Sequence, residues 1–526
     1  MRMTSNRRIF LNIVASYARS AYVLFLGLIT ARWLLLSLGT VDYGLLGVVG
    51  GLISFVTFLN SLFSSSVSRF YAISIGKAMR NQSEGLSESR RWFTVAFSIH
   101  SIIPFFLVVV GIPSGIWVVD HILVIPADRL SACHWVWIFT CISAYVGMVN
   151  VPFRAMYTAK QEIAELTILN VADATLNAVL LGYMISHPGD WLAKYVGIHC
   201  LMAILLRVLI CVRAIIVFPE CRFVKGAFFC WTDIRKLATF AYWNAFGSLS
   251  QMIRTKGCTV LVNRFLGVTQ NAAIIVGVRL AARTNTFSQS LITSFSPAIV
   301  SAYGAGQHNR MRRLARRVSK LGAMVVMFFS VPMLMEAAEV MRLWLKKPPT
   351  GSAFLCSCVL CVAFLNKITA GERIAIGASG KLAAYQMGVC VANAVALAAA
   401  YVMLRQGYGI EIIGYNAVFL GVFNVFQRVY YAQRCAGLSI VEWIRRVALP
   451  ISVVALIGVG VAYIPHLFLD PCFLRVLLTV AIGELVLVPL TWFWVIDDEE
   501  KQYIREKSSK VLRFCRLHCG YGTKML

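Results

Sequence analysis

Fourteen apolar runs follow one another along the chain, each close to the roughly 20 residues that a helix needs to cross a bilayer. They fall near 10–31, 44–63, 93–117, 134–156, 166–187, 193–217, 239–263, 272–298, 318–343, 352–372, 381–404, 410–431, 447–466 and 473–495. The pattern predicts an all-α integral membrane protein with about 14 transmembrane helices. Several runs carry polar stripes. Asn12, Ser16 and Arg19 share a helical face in the first run. Asn244, Ser248, Gln251 and Thr255 share one in the seventh, with Arg254 at its edge, and Arg279, Arg283, Thr286, Ser290 and Thr293 line the eighth.

The stripes repeat. Asn12, Ser16 and Arg32 recur 232 residues later as Asn244, Ser248 and Arg264. Further along the spacing is 228, pairing Leu38-Gly39 with Leu266-Gly267, Gly76 with Gly304, Asn81 with Asn309 and Pro104 with Pro332. With six spans per copy, both copies enter the membrane in the same direction, a parallel repeat that holds its substrate between the halves. The predicted organisation is a first lobe over 1–220 and a second over 221–435, which includes a cytoplasmic linker at 218–238. Spans thirteen and fourteen and a basic cytoplasmic tail occupy 436–526.

Composition agrees with lipid as the solvent. Hydrophobic residues make up 59% of the chain and charged residues 14%, against about 25% charged in a soluble domain, and the mean hydropathy is +0.73. The net charge of +27 gathers in alternate loops, as the positive-inside rule expects for cytoplasmic termini. It therefore signals topology and contact with anionic phospholipids rather than nucleic acid. Arg310, Arg312, Arg313, Arg316, Arg317 and Lys320 form one such cytoplasmic group. The first run is too long for a signal-peptide core and reads as a retained helix. The fifteen cysteines are scattered, mostly within spans, and read as packing residues; Cys515, His518 and Cys519 in the tail make only a weak zinc pattern. No loop is long enough for a catalytic domain and no phosphate-binding Walker motif is present, so neither an enzyme nor an ATP-driven pump is expected. Neither a metal nor a cofactor is expected.

An arginine at mid-membrane costs on the order of 2.5–3.5 kcal/mol on insertion scales, so it faces a wet cavity or a partner. Arg19, Arg254, Arg279 and Arg283, with Asn12, Asn244 and Gln251, are the expected lining of a central cavity. A guanidinium donates two parallel hydrogen bonds to phosphate and keeps its charge when desolvated. An anionic substrate follows. Carboxylates in spans are few, namely Asp173, Glu336, Glu339, Glu372 and Glu484. Asp173 is a candidate coupling-ion site or counter-ion.

Residues Asn12 through Arg32, then Leu38-Gly39-Thr40-Val41-Asp42-Tyr43-Gly44, Val48-Val49-Gly50-Gly51, Arg69-Phe70 and Gly76-Lys77, resemble the opening of polysaccharide (O-antigen) flippases. Val151-Pro152-Phe153-Arg154-Ala155 with Ala159-Lys160-Gln161-Glu162 resembles their fourth-span exit. Trp243-Asn244, Leu266-Gly267, Pro297, Tyr303-Gly304, Trp344-Leu345 and Gly380-Lys381 extend the likeness to about residue 440. That family shares a superfamily with lipid II flippases and multidrug and toxin extruders. The resemblance implies two six-helix lobes in a V around a cavity that opens alternately to either side. It also implies transfer of an undecaprenyl-diphosphate-linked oligosaccharide across a bacterial inner membrane. Cavity cations on spans one, seven and eight are implied, and glycosyltransferases or a glycan polymerase as partners of a monomer. A multidrug extruder of the same fold is the first rival reading, and a membrane-embedded glycan polymerase or ligase the second.

Overall fold

The computed structural model describes residues 5–502 apart from 52–53, 122, 124, 225, 346–347 and 499. The side chains of Arg279, Arg283 and Thr286, and the tail with Cys515, His518 and Cys519, lie outside the described residues. The chain is a multi-helix membrane protein with no strand among the described residues.

The first half opens with α1 (Ser5–Gly51), α2 (Ser54–Ala78) and α3 (Gln82–His121). Next come α4 (Leu130–Val149) and α5 (Val151–Ala159), separated only by Asn150, then α6 (Ile163–Ser186) and α7 (Leu192–Val217). Pro152 in the first turn of α5 has no N–H to give the preceding turn, which favours a restart there. The second half comprises α8 (Trp231–Leu266), α9 (Val268–Gly304), α10 (His308–Leu345), α11 (Ser352–Ile368), α12 (Ala370–Ser379), α13 (Ala383–Arg405) and α14 (Glu411–Ala436). Beyond it lie α15 (Ile440–Trp443), α16 (Leu449–Ala462), α17 (Ile464–Phe468) and α18 (Phe473–Leu490).

Ten of the described helices are long and apolar enough to cross a membrane, or eleven if α11 and α12, bent by 51°, form one span. The sequence pattern predicts fourteen. The difference falls on α2, α8 and α9, whose polar stripes lower their hydropathy although they run for 25, 36 and 37 residues. The run expected at 44–63 is also divided, its first part belonging to the end of α1 and the rest to α2.

The repeat is visible in the backbone. Gly39 breaks α1 at φ 74°, ψ 173°, and Gly267 separates α8 from α9 at φ 85°, ψ 177°, the region that glycine enters without a Cβ penalty. Pro104 and Pro332 both lie inside their helices. Past these points the spacing shortens to 219. Val149, Val217 and Ser186 end α4, α7 and α6, and Ile368, Ala436 and Arg405 end α11, α14 and α13 at that distance.

Apolar side chains point both ways, as in a protein solvated by lipid. Phe426, Phe419, Leu456 and Leu485 are each at least 70% exposed, a load that would aggregate in water. Inside, Phe295, Ile299, Leu314, Val318, Ile376 and Leu382 knit α9, α10, α12 and the start of α13 together. A separate group, Ile451, Val454 and Leu487, fastens α16 and α18 to Met324 and Met327 of α10. The halves meet where the arginine-rich loops lie. There α2 packs on α9, and Arg69 of α2 donates from Nε to Gly377 O (2.7 Å) and from Nη2 to Ala378 O (3.0 Å) of α12.

Candidate functional site

The bend between α11 and α12 positions the first cation. Thr369 occupies the break and Arg373 follows one turn into α12; likewise Asn150 precedes α5 and Arg154 follows one turn on. Both pairs are 219 residues apart. Each break residue also grips the last helix of its own half. Asn150 Nδ2 donates to Arg207 O on α7 (2.9 Å), and Arg428 Nη1 on α14 donates to Thr369 Oγ1 (3.1 Å).

In the second half, Arg373 and Arg428 line a cavity of about 370 Å³ together with Arg254 of α8. Asn244, Ser248 and Gln251 run along the same wall. Arg254 Nε donates to Asn393 Oδ1 (2.9 Å), and Asn393 Nδ2 in turn to Ser250 Oγ (3.1 Å). Arg428 Nε donates to Tyr385 Oη (3.3 Å). Arg254 and Arg428 are thus aimed by neutral groups that leave N–H donors over. Among the described residues no carboxylate lines this cavity. Of the acids on nearby helices, Glu336 and Glu339 are engaged elsewhere, while Glu372, which does not line the cavity, interacts electrostatically with Arg428. Glu336 takes both Nε (3.1 Å) and Nη2 (3.0 Å) of Arg475, Glu339 pairs with Arg342 (2.8 Å), and Glu372 Oε2 accepts from Ser319 Oγ (2.7 Å). Three guanidinium groups outnumber the one nearby carboxylate, Glu372, and an anion entering among them recovers part of their desolvation cost.

The first half carries a matching cluster with a different charge balance. Arg154 interacts electrostatically with Arg19, Arg207 and Asp173, and Asp173 also with His199. Arg207 Nη1 donates to Ser143 O (2.7 Å) and Oγ (3.0 Å), and Arg154 Nη2 to Asn170 Oδ1 (3.3 Å). Among the described residues, Arg19 Nε is buried without a hydrogen-bond partner. The residue 219 positions after Asp173 is Ala392, so the acid belongs to the first half only.

The expected site residues are therefore divided. Arg254, Asn244 and Gln251 share the second-half cavity, whereas Arg19 and Asp173 belong to the first-half cluster. Asn12 is corrected: it is 2% exposed, its Nδ2 donates to Gln161 O (2.8 Å), and its Oδ1 accepts from Ala164 N (3.1 Å), so its amide ties α1 to the α5–α6 turn. Arg279 and Arg283 lie outside the described side chains. Stripe patterning alone misses Arg154, Arg207, Arg373 and Arg428. The signal that finds Arg154 and Arg373 is the third spacing of the repeat, in which Arg154 and Gln161 recur as Arg373 and Gly380.

No family model and no curated protein sequence matches this chain. Its fold is similar to that of several solved structures. A crystal structure of a MATE protein is 11% identical, with TM-score 0.67 over 83% of this chain and 98% of that one. A Vibrio cholerae MATE transporter is 14% identical, with TM-score 0.57 over 81% and 98%. A MOP superfamily transporter from Pyrococcus furiosus, described with a binding pocket of reverse polarity that suggests a different function, is 12% identical, with TM-score 0.62 over 83% and 95%. The fold of this chain is that of MATE and MOP superfamily transporters.

Proposed function

We propose that this chain is a membrane transporter that moves an undecaprenyl-diphosphate-linked oligosaccharide across a bacterial inner membrane by alternating access, for cell-surface polysaccharide assembly. The observation that carries the reading is the second-half cavity lined by Arg254, Arg373 and Arg428 with no acid among its described lining residues. Planar guanidinium forks suit the acidic oxygens of a diphosphate, while Asn244, Gln251, Asn366 and Asn424 on the same walls suit sugar hydroxyls. The lipid tail stays in the bilayer. The Pyrococcus furiosus protein, described with a pocket of reverse polarity that suggests a different function, supports the idea that this fold accommodates pockets of differing polarity.

The excess of Lys and Arg in alternate loops supports a cytoplasmic position for the arginine-rich end and both termini. The α2–α9 contact and the Arg69 bonds join the halves at that end, which on this reading is closed to the cytoplasm. Glycosyltransferases and a glycan polymerase are the partners proposed for supplying and using the cargo. Extrusion of cationic drugs is disfavoured because it calls for carboxylates where this cavity presents arginines. The test is purified protein in liposomes, with either a fluorescent lipid-diphosphate glycan or a cationic dye. Leaflet exchange of the glycan without dye uptake supports the reading; dye uptake without glycan exchange overturns it.

A further inference from the structure

A second basic chamber lies at the arginine-rich end, on the outside of the clasp between the halves. It has a volume of about 570 Å³, and every ionisable residue lining it is cationic: Arg69 from α2, Arg235 and Lys236 from the first turns of α8, and Lys381 from the α12–α13 turn. Phe240 and Trp243 supply an apolar wall beside them. Lys236 lies 3.7 Å from Asp233, a buried acid that is also paired with Arg91 and does not line the chamber. We propose that this chamber is a docking site for a phosphate or diphosphate headgroup, and that docking there loosens the clasp.

Arg69 makes the link. Its guanidinium crosses from one half to the other and is held by neutral acceptors, the carbonyls of Gly377 and Ala378, with the Phe240 ring 4.5 Å from Cζ. Two of its five N–H groups are used on those carbonyls. A charge-assisted bond to a phosphate oxygen is roughly twice as strong as a neutral one, so an anion in the chamber competes for Arg69 and draws it off α12. By linkage, opening of the clasp and occupancy of the chamber then favour each other to the same degree. The chamber's role in loading cargo rests on the transport reading above; its affinity for phosphate does not.

The experiment compares the wild-type protein with the Arg235→Gln/Lys236→Gln/Lys381→Gln variant in nanodiscs of neutral phosphatidylcholine. Three probes are titrated: farnesyl diphosphate, inorganic pyrophosphate and phosphatidylglycerol. Each basic residue near a membrane surface is worth about fivefold in affinity for an anion, so removing three weakens the tightest probe by roughly a hundredfold. Whichever probe binds tightest to the wild type identifies the source of the headgroup. The single variant Lys381→Glu, at an exposed position, repeats the test where the triple variant folds poorly and is expected to lose at least tenfold. Wild-type binding to none of the probes, or equal binding by wild type and variants, overturns the proposal. A triple Arg254→Ala/Arg373→Ala/Arg428→Ala protein separates the two readings: the chamber keeps its affinity there even if glycan exchange never occurs in any form of the protein.

Discussion

Gly76 of α2 and Gly304 of α9 seat the two halves against each other reciprocally. A Cβ built on Gly304 would lie 2.5 Å from Ile73 O, and one on Gly76 would lie 2.8 Å from Ala305 N and closer still to Ser301 O. Ile73 and Ser301 are 228 residues apart, the same spacing as the glycines, so the contact has approximate two-fold symmetry. Overpacking of this kind costs about 1–3 kcal/mol. We expect Gly76→Ala or Gly304→Ala to shift the population toward a state open at the arginine-rich end. Spin labels on Arg80 and Arg310 report it as a longer distance, and an unchanged distance distribution counts against the clasp.

The αL positions give a second prediction. Gly380 has φ 77° and Gln161, its counterpart, φ 62°. A side chain at such a φ costs about 1–2 kcal/mol, and a Cβ on Gly380 would also sit 2.5 Å from Arg69 Nη2. Gly380→Ala should therefore lower the melting temperature and disturb the clasp. Gln161→Gly keeps the backbone carbonyl that Asn12 uses and should cost less than about 1 kcal/mol. Equal losses in the two variants would show that backbone strain is not what separates them.

Much of this was legible in the sequence, and the limits have physical causes. Gly39 and Gly267, Pro104 and Pro332, and the glycine pair could be matched because the connections between them keep one spacing. Arg154 and Arg373 escaped the same reading because the stretch from Pro332 to the end of α11, its helices above all, is shorter than that from Pro104 to the end of α4, which changes the spacing to 219. Asn12 misled because a polar face on a helix says nothing about whether water or a neighbouring turn satisfies it. Asn244 has no such turn to bind, its Nδ2 reaching only to Ser65 Oγ (3.5 Å), and it remains on the cavity wall. Convergence of cations in space is likewise a property of packing: Arg19 and Arg254 occupy similar stripes yet fall in separate clusters.

A third prediction concerns the extra helices. Glu336 is 1% exposed and is held by Arg475 and by Thr479 Oγ1 (2.9 Å), with His466 Nε2 lying 3.3 Å away. Removing one partner of a buried ion pair costs about 3–5 kcal/mol. Glu336→Gln should thus lower thermal stability sharply, and Glu336→Gln/Arg475→Met should recover most of it. A double variant no better than the single would mean the pair is not coupled.

Asp173 supplies a fourth. If it serves only to balance Arg154 and Arg207, Asp173→Asn leaves glycan exchange proportional to substrate binding and leaves its dependence on a proton gradient unchanged. Loss of gradient dependence at unchanged binding would instead make it the coupling site.

The most direct measurement of the central claim is leaflet exchange of a lipid-diphosphate glycan by Arg254→Ala/Arg373→Ala/Arg428→Ala beside wild type, with helicity and elution volume matched. Each charge-assisted bond is worth about 1.5–3 kcal/mol, so exchange at limiting substrate should fall at least a hundredfold. Exchange within a few-fold of wild type would contradict a cavity built to hold the diphosphate.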